Sequence, residues 1–175
     1  RSVEVWAFDE HRAGLKPVIR KVWARRGQRP LARGHQRFQW VYVFGFVRPA
    51  TGAVVWFLAD AVNTAMFNRI LAAFARDVGA GPDKIVVLVL DGAGWHVAKD
   101  LQVPDGIRLE FLPPYSPELQ PAEHLWPVIN EPLANQHFHT LADLDEVLAE
   151  RCCDLANDPD RIKSSTQFHW WPAFI

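Results

Sequence analysis

Six consecutive apolar residues, Ile85-Val86-Val87-Leu88-Val89-Leu90, run without interruption into Asp91-Gly92. A strand with one face in water alternates apolar and polar side chains. An unbroken, β-branched run of this length suits a strand buried on both faces, as in the middle of a parallel sheet. Such a strand needs cover on both sides, so the chain has to supply helices for two layers.

The flanking sequence reads accordingly. Val3 to Phe8 is a strand that ends at Asp9, Val18 to Trp23 a short second one, and Trp40 to Val47 a longer one. Pro49-Ala50-Thr51-Gly52 turns the last of these into Val54 to Ala59, an antiparallel meander. Gly27, Pro30 and Gly34 punctuate the segment between. Asn63 caps a helix whose apolar residues Phe67, Leu71, Phe74 and Val78 recur at helical spacing, closed by Gly79. After the apolar run come a short helix over Gly94–Leu101, a strand over Ile107–Leu112, a rigid Pro113-Pro114-Tyr115-Ser116-Pro117 loop and a helix beginning near Pro121. Thr140 and Asp143 form a capping box for a last helix with the buried stripe Leu141, Leu144, Leu148, Cys152 and Leu155. Without repeats or linkers, residues 1–175 read as a single domain of the α/β class.

Composition bounds the function classes. At 175 residues, 49% apolar and 22% charged, the chain is long enough for a real core. No stretch is apolar and long enough to span a bilayer, and the adjacent Cys152 and Cys153 make a poor disulfide, which fits a reducing cytoplasm. The net charge of −1 conceals an asymmetry: from His11 to Arg37 there are two lysines, seven arginines and no acid. Such a block either faces phosphates or is a solvated basic hairpin. The chain opens on Arg1 in a strand-like run, which reads as a fragment or processed piece with its upstream partner missing.

Three acids stand where elements end or begin. Asp9 follows the first strand, Asp91 the buried run, and Glu123 lies in the first turn of a helix behind the proline-rich loop. If the first strand and the buried run are adjacent and parallel, Asp9 and Asp91 emerge side by side. Converging carboxylates repel one another without a cation, and hard oxygen ligands suit Mg²⁺ or Mn²⁺. Two such ions ~4 Å apart support in-line displacement at phosphorus. Singly, each acid has a duller role: a strand end, an Asp-Gly turn, an acid at a helix N-terminus.

The segments Phe8-Asp9-Glu10, Leu90-Asp91-Gly92-Ala93-Gly94-Trp95-His96 and Leu112-Pro113-Pro114-Tyr115-Ser116-Pro117-Glu118-Leu119-Gln120-Pro121-Ala122-Glu123-His124-Leu125-Trp126 together resemble the catalytic domain of mariner-like DDE transposases, in particular their bacterial insertion-sequence branch. Val22 to Pro30 fits that family's second strand and turn. The resemblance implies a ribonuclease-H-like mixed five-stranded sheet, three antiparallel strands then two parallel, with helices on both faces. It implies a catalytic, metal-binding triad of Asp9, Asp91 and Glu123 holding two Mg²⁺ or Mn²⁺ ions, with Asp9 bridging them. It further implies cleavage at transposon ends, strand transfer into target DNA, and a homodimer in the synaptic complex at the bacterial nucleoid. The family's N-terminal helix-turn-helix recognition region is absent from these residues. Gln120 stands where asparagine is usual, and Pro127 is expected to kink or end the helix carrying Glu123.

Around the triad, Arg25, Arg26 and Arg29 are the expected phosphate contacts, and Tyr115 a possible stacking surface. Trp126 reads as packing. His96 reads as a capping or packing histidine, His124 as pointing roughly 100° away from Glu123, and Glu10 as a surface acid on the opposite side of the strand from Asp9. Any of these three could instead support the triad from behind. Two further functions compete: a stand-alone nuclease on the same fold, and an inactive DNA-binding or interaction module.

Overall fold

The structure, a computed structural model, describes residues 1–28 and 38–172. Five strands form one sheet: β1 (Ser2–Gly14), β2 (Trp40–Arg48), β3 (Ala53–Ala59), β4 (Lys84–Leu90) and β5 (Ile107–Phe111). Their order across the sheet is β3-β2-β1-β4-β5. β1–β2 and β2–β3 are antiparallel, whereas β1–β4 and β4–β5 are parallel. This is the mixed sheet the resemblance implies.

The helices are α1 (Thr64–Asp77), α2 (Leu125–Ile129), α3 (Leu141–Ala156) and α4 (Pro159–Thr166). The two faces of the sheet carry separate cores. On one, Phe67, Ile70, Leu71 and Phe74 of α1 pack on Trp6, Phe8, Phe44, Phe46, Val86 and Leu88. On the other, Ala7, Val41, Val43 and Val47 lie under Leu125, Trp126 and Ile129 of α2 and under Leu144, Leu148 and Leu155 of α3. The alternation of Trp6 and Phe8 against Ala7 is the two-residue period of a strand buried on both sides. Both caps read from the sequence are present: Asn63 Oδ1 accepts from the Met66 N–H, and Thr140 and Asp143 exchange the two bonds of a capping box. Gly79 closes α1 at a φ of 69°.

Four expectations change. β1 does not end at Asp9 but continues to Gly14, because β2 goes on pairing with it after β4 has stopped. Val18 to Trp23 is not a strand; Val18 makes one isolated parallel bridge to Ala134, and Arg20 is tied instead to the Asn135 side chain. Gly94 to Leu101 forms turns rather than a helix. There the Asp91 side chain accepts from the Ala93 N–H, a local turn that competes with helix formation. α4, with Asp158 accepting from the Arg161 N–H at its start, is an additional helix that the sequence reading did not anticipate.

The α1-side core is dense in aromatic contacts: Phe74 stacks on Phe46 at 4.0 Å and meets Trp6 edge-on at 5.2 Å. Phe74→Ala is expected to cost about 3–5 kcal/mol in urea unfolding. Trp23→Ala, at a side chain 103% exposed, should stay within about 0.5 kcal/mol of the parent. Similar losses for the two variants would contradict this core.

Candidate active site

The parallel β1–β4 register ends at the pair Ala7–Val89. Two residues further along each strand direction stand Asp9, still within β1, and Asp91, just past β4. The equal offset brings both acids to the same end of the sheet. Beyond β5, Leu112 donates to the Leu90 carbonyl, and the chain enters the proline-rich loop. That loop closes over the sheet through two 3₁₀ turns, Pro117–Leu119 and Pro121–His124. A cleft of about 450 Å³ is lined by Asp9, Asp91, Gly92, Pro113, Tyr115 and Glu123, among others. The cleft therefore gathers all three sequence-predicted acids.

Each acid is held differently. The half-buried Asp9 accepts a 2.7 Å hydrogen bond at Oδ2 from the indole Nε1 of Trp126. Burial is the main cause that pushes its carboxyl up to about 8; the charge of Glu123 adds to this and the Trp126 bond offsets part of it. Asp91 is exposed and held below the ordinary carboxylate range, chiefly by a 2.8 Å hydrogen bond from His96 Nδ1 to its Oδ1. Glu123, also exposed, is raised by partial burial and then by the charge of Asp91. Glu123 thus links the two others: the charge of Asp91 raises it, and its own charge raises Asp9. Among the described residues no three acidic, histidine or cysteine side chains stand close enough, as they are, to grip a single ion. The donor set is nonetheless all hard oxygen around one cleft, and the raised carboxyl of Asp9 marks a site short of positive charge. Asp9, Asp91 and Glu123 therefore fit a divalent cation of the Mg²⁺ or Mn²⁺ type.

His96 is buried, 1% exposed, and packs against the rings of Phe8 and Phe67. Its Nε2 faces Glu10 Oε2 at 3.4 Å. Burial alone would lower its pKa; the bonds and charges of Asp91 and Glu10 override that and raise it to about 9. His96 therefore does more than pack: it braces Asp91 from behind. Glu10 does lie on the opposite side of β1 from Asp9, as expected, but it is mostly buried there rather than a surface acid. His124 adjoins Glu123, meets Phe168 edge-on at 4.9 Å and lowers the carboxyl of Glu123 by its charge.

The expected break at Pro127 is real: α2 has five residues. Pro127 sits in its first turn, where backbone N–H groups have no partner within the helix. Its carbonyl accepts from Arg20 Nη2 at 2.8 Å. Gln120 does what the short helix cannot. Buried, it donates from Nε2 to the Phe8 carbonyl at 2.9 Å and accepts at Oε1 from the Ala122 N–H, so it ties the Glu123 turn to the backbone preceding Asp9. Sequence reasoning missed this role, and that of Trp126. Tyr115 stands at the cleft, 101% exposed with a φ of 58°. Arg25 and Arg26 are exposed on the β1–β2 connection; Arg29 lies outside the described residues.

The model of the DDE superfamily endonuclease family matches residues 4–145. The chain is 37% identical over 135 residues to the uncharacterised protein y4pE/y4sA of Sinorhizobium fredii, covering 75% of this chain and 96% of that one. Among solved structures, it is similar to a pre-cleavage Mos1 transpososome (TM-score 0.61, 18% identity, 94% of this chain). It is also similar to the Mos1 strand transfer complex (0.60, 18%, 96%) and the Mos1 mariner paired-end complex with Mn (0.59, 17%, 94%). At these identities the likeness is one of fold, the ribonuclease-H-like catalytic fold of a mariner transposase. The chain spans 56% of the length of those transposase chains.

His96 supplies a test. Folded, it holds its proton more tightly than an unfolded chain whose histidines titrate near 6.5. Its stabilising contribution is complete below about pH 6.5 and is lost as pH rises through about 9. Urea melts of the cation-free protein should show stability falling across that window, and His96→Gln should flatten the fall. Equal slopes in both proteins would assign the loss to other groups.

Proposed function

This chain belongs to the DDE superfamily endonucleases, and we propose that it is the strand-cutting and strand-joining part of a DNA transposase, with Asp9, Asp91 and Glu123 as its cation-holding triad. The observation that carries this reading is the meeting of the three carboxylates in one cleft at the end of the parallel strand pair. Two divalent ions held there would activate the attacking oxygen and stabilise the leaving one at a DNA phosphodiester. Mos1 paired-end complexes with Mn and with Mg support that choice of cation.

The chain's own residues do the arranging. His96, backed by Glu10, fixes the carboxylate plane of Asp91 and keeps it ionised. Gln120 sets the height of the turn that carries Glu123 over β1. Asp9, protonated near neutral pH on its own, has to release that proton as it becomes a ligand. Tyr115 is held in a left-handed backbone conformation that costs a non-glycine residue about 1 kcal/mol, which presents its ring at the cleft mouth for stacking on a base. Arg25, Arg26 and Arg29 lie on the basic connection and contact phosphates, giving position without sequence readout.

The substrates are transposon ends and then target DNA in a bacterial cytoplasm. Two copies act in the synaptic complex, one for each end. No helix among the described residues is long and apolar enough to cross a membrane.

Two tests follow from this site. With the chain joined to its upstream region, Asp9→Asn, Asp91→Asn and Glu123→Gln should each lower Mg²⁺-dependent nicking of DNA carrying terminal inverted repeats by about 10³-fold, the scale of several kcal/mol of lost charge stabilisation. Their DNA binding should persist. Nicking within tenfold of the parent in any one of them would remove that residue from the triad. Separately, DNA affinity should fall steeply with salt, and Arg25→Ala with Arg26→Ala should reduce the slope of log K against log salt by about 0.9 for each phosphate no longer neutralised. An unchanged slope would remove these two residues from the DNA path.

A further inference from the structure

Of the tryptophans with buried indole nitrogens, those of Trp56, Trp95 and Trp171 have no hydrogen-bond partner. Trp6 donates to Glu4 Oε2, and Trp126, 6% exposed, directs its Nε1–H at an acid of the cleft, Asp9 Oδ2, at 2.7 Å. A ring placed only to fill space has no need for that aim.

The surroundings are built around it. Asp9 and His11 share one face of β1, two residues apart. The Trp126 indole lies over His11, stacked at 5.1 Å and 14°. Asn130, at the C-terminal end of α2, hydrogen-bonds His11 Nε2, with its side-chain Nδ2 at 3.0 Å and Oδ1 at 3.2 Å. On the other side, the residue paired with Asp9 across the β1–β2 ladder is Gly45. A Cβ there would stand 3.1 Å from Trp126 Cη2, 3.1 Å from Leu125 Cδ1 and 2.9 Å from Trp56 Cζ3. Glycine in mid-strand weakens a sheet and often marks a close approach; here it leaves the space that the indoles of Trp56 and Trp126 and the Leu125 side chain share.

We infer that Trp126 is a positioning residue: seated in the Gly45 gap and backed by His11, it fixes the carboxylate plane of Asp9 for cation binding. This rests on the proposed triad. Each carboxylate oxygen accepts two bonds, so the Trp126 bond leaves Oδ2 a lone pair for a ligand role. The hydrogen bond also favours the charged carboxylate in a site whose burial opposes it. The arrangement mirrors the bracing of Asp91 by His96 on the other face of the sheet, with an uncharged donor in place of a charged one.

The test measures binding of Mn²⁺ alone, by electron paramagnetic resonance, to the full chain and to Trp126→Phe, Gly45→Ala and Asp9→Asn. Phenylalanine keeps most of the packing and removes the N–H. Trp126→Phe should weaken Mn²⁺ binding about tenfold or more, the scale of a hydrogen bond to a charged group, and Gly45→Ala should weaken it less, by displacing the ring. Wild-type Mn²⁺ affinity in a folded Trp126→Phe, with affinity lost in Asp9→Asn, would overturn the positioning role and leave the triad standing. Wild-type affinity in Asp9→Asn would overturn the triad itself. If Trp126→Phe does not fold, the unmodified chain decides: its assigned Trp126 indole N–H resonance should move on titration with Mg²⁺, and a resonance that stays fixed while the ion binds would overturn the inference.

Discussion

The parallel pairing of β1 with β4 is the constraint from which the rest follows. It puts the chain's most apolar run beside a strand that is itself buried on both faces, so neither face of the sheet can be left to water. α1 covers one side, and α2 and α3 cover the other. Because the two strands run in the same direction, their equal offsets past the Ala7–Val89 pair deliver two acids to one end of the sheet. The same pairing that forms the core thereby brings together charges that the core cannot solvate.

The structure meets that cost separately on each side. On the α1 side, an ion-pair chain from the mostly buried Glu10 through buried His96 to the exposed Asp91 stabilises one carboxylate as an anion. On the α2 side, a neutral indole offers a single hydrogen bond to Asp9, which is not enough to offset burial, and that carboxyl stays high. One acid is thus satisfied and the other left short of positive charge. A site of this kind is unfavourable by itself and gains most from a bound cation, so the electrostatic strain falls on the group expected to do the chemistry.

Much of this is legible in the sequence, for physical reasons. Patterning reveals burial, so the face of α1 and the stripe of α3 can be read directly; of the run before Asp91, Val86, Leu88 and Leu90 are fully buried, while Ile85, Val87 and Val89 on its other face are only partly covered. Caps reveal themselves through short-range bonding, as at Asn63 and Thr140. The length of β1 is not legible, because what extends it is β2, a partner that begins twenty-six residues after β1 ends. Val18 to Trp23 misleads because its composition is strand-like but it has no ladder to join. The acids can be named from their motif context, whereas their supports cannot. The reach of Gln120 to the Phe8 carbonyl and of Trp126 to Asp9 spans 112 and 117 residues. Gly45 is the one available signal: a lone glycine inside an aromatic strand implies something bulky packed against it.

If Asp9, Asp91 and Glu123 form one cation site, anomalous diffraction from crystals soaked in Mn²⁺ will locate the ions there. Two Mn²⁺ peaks ~4 Å apart are expected in the cleft, with Asp9, Asp91 and Glu123 all among their ligands. Mn²⁺ bound elsewhere, or bound in the cleft without Asp9, would contradict that assignment.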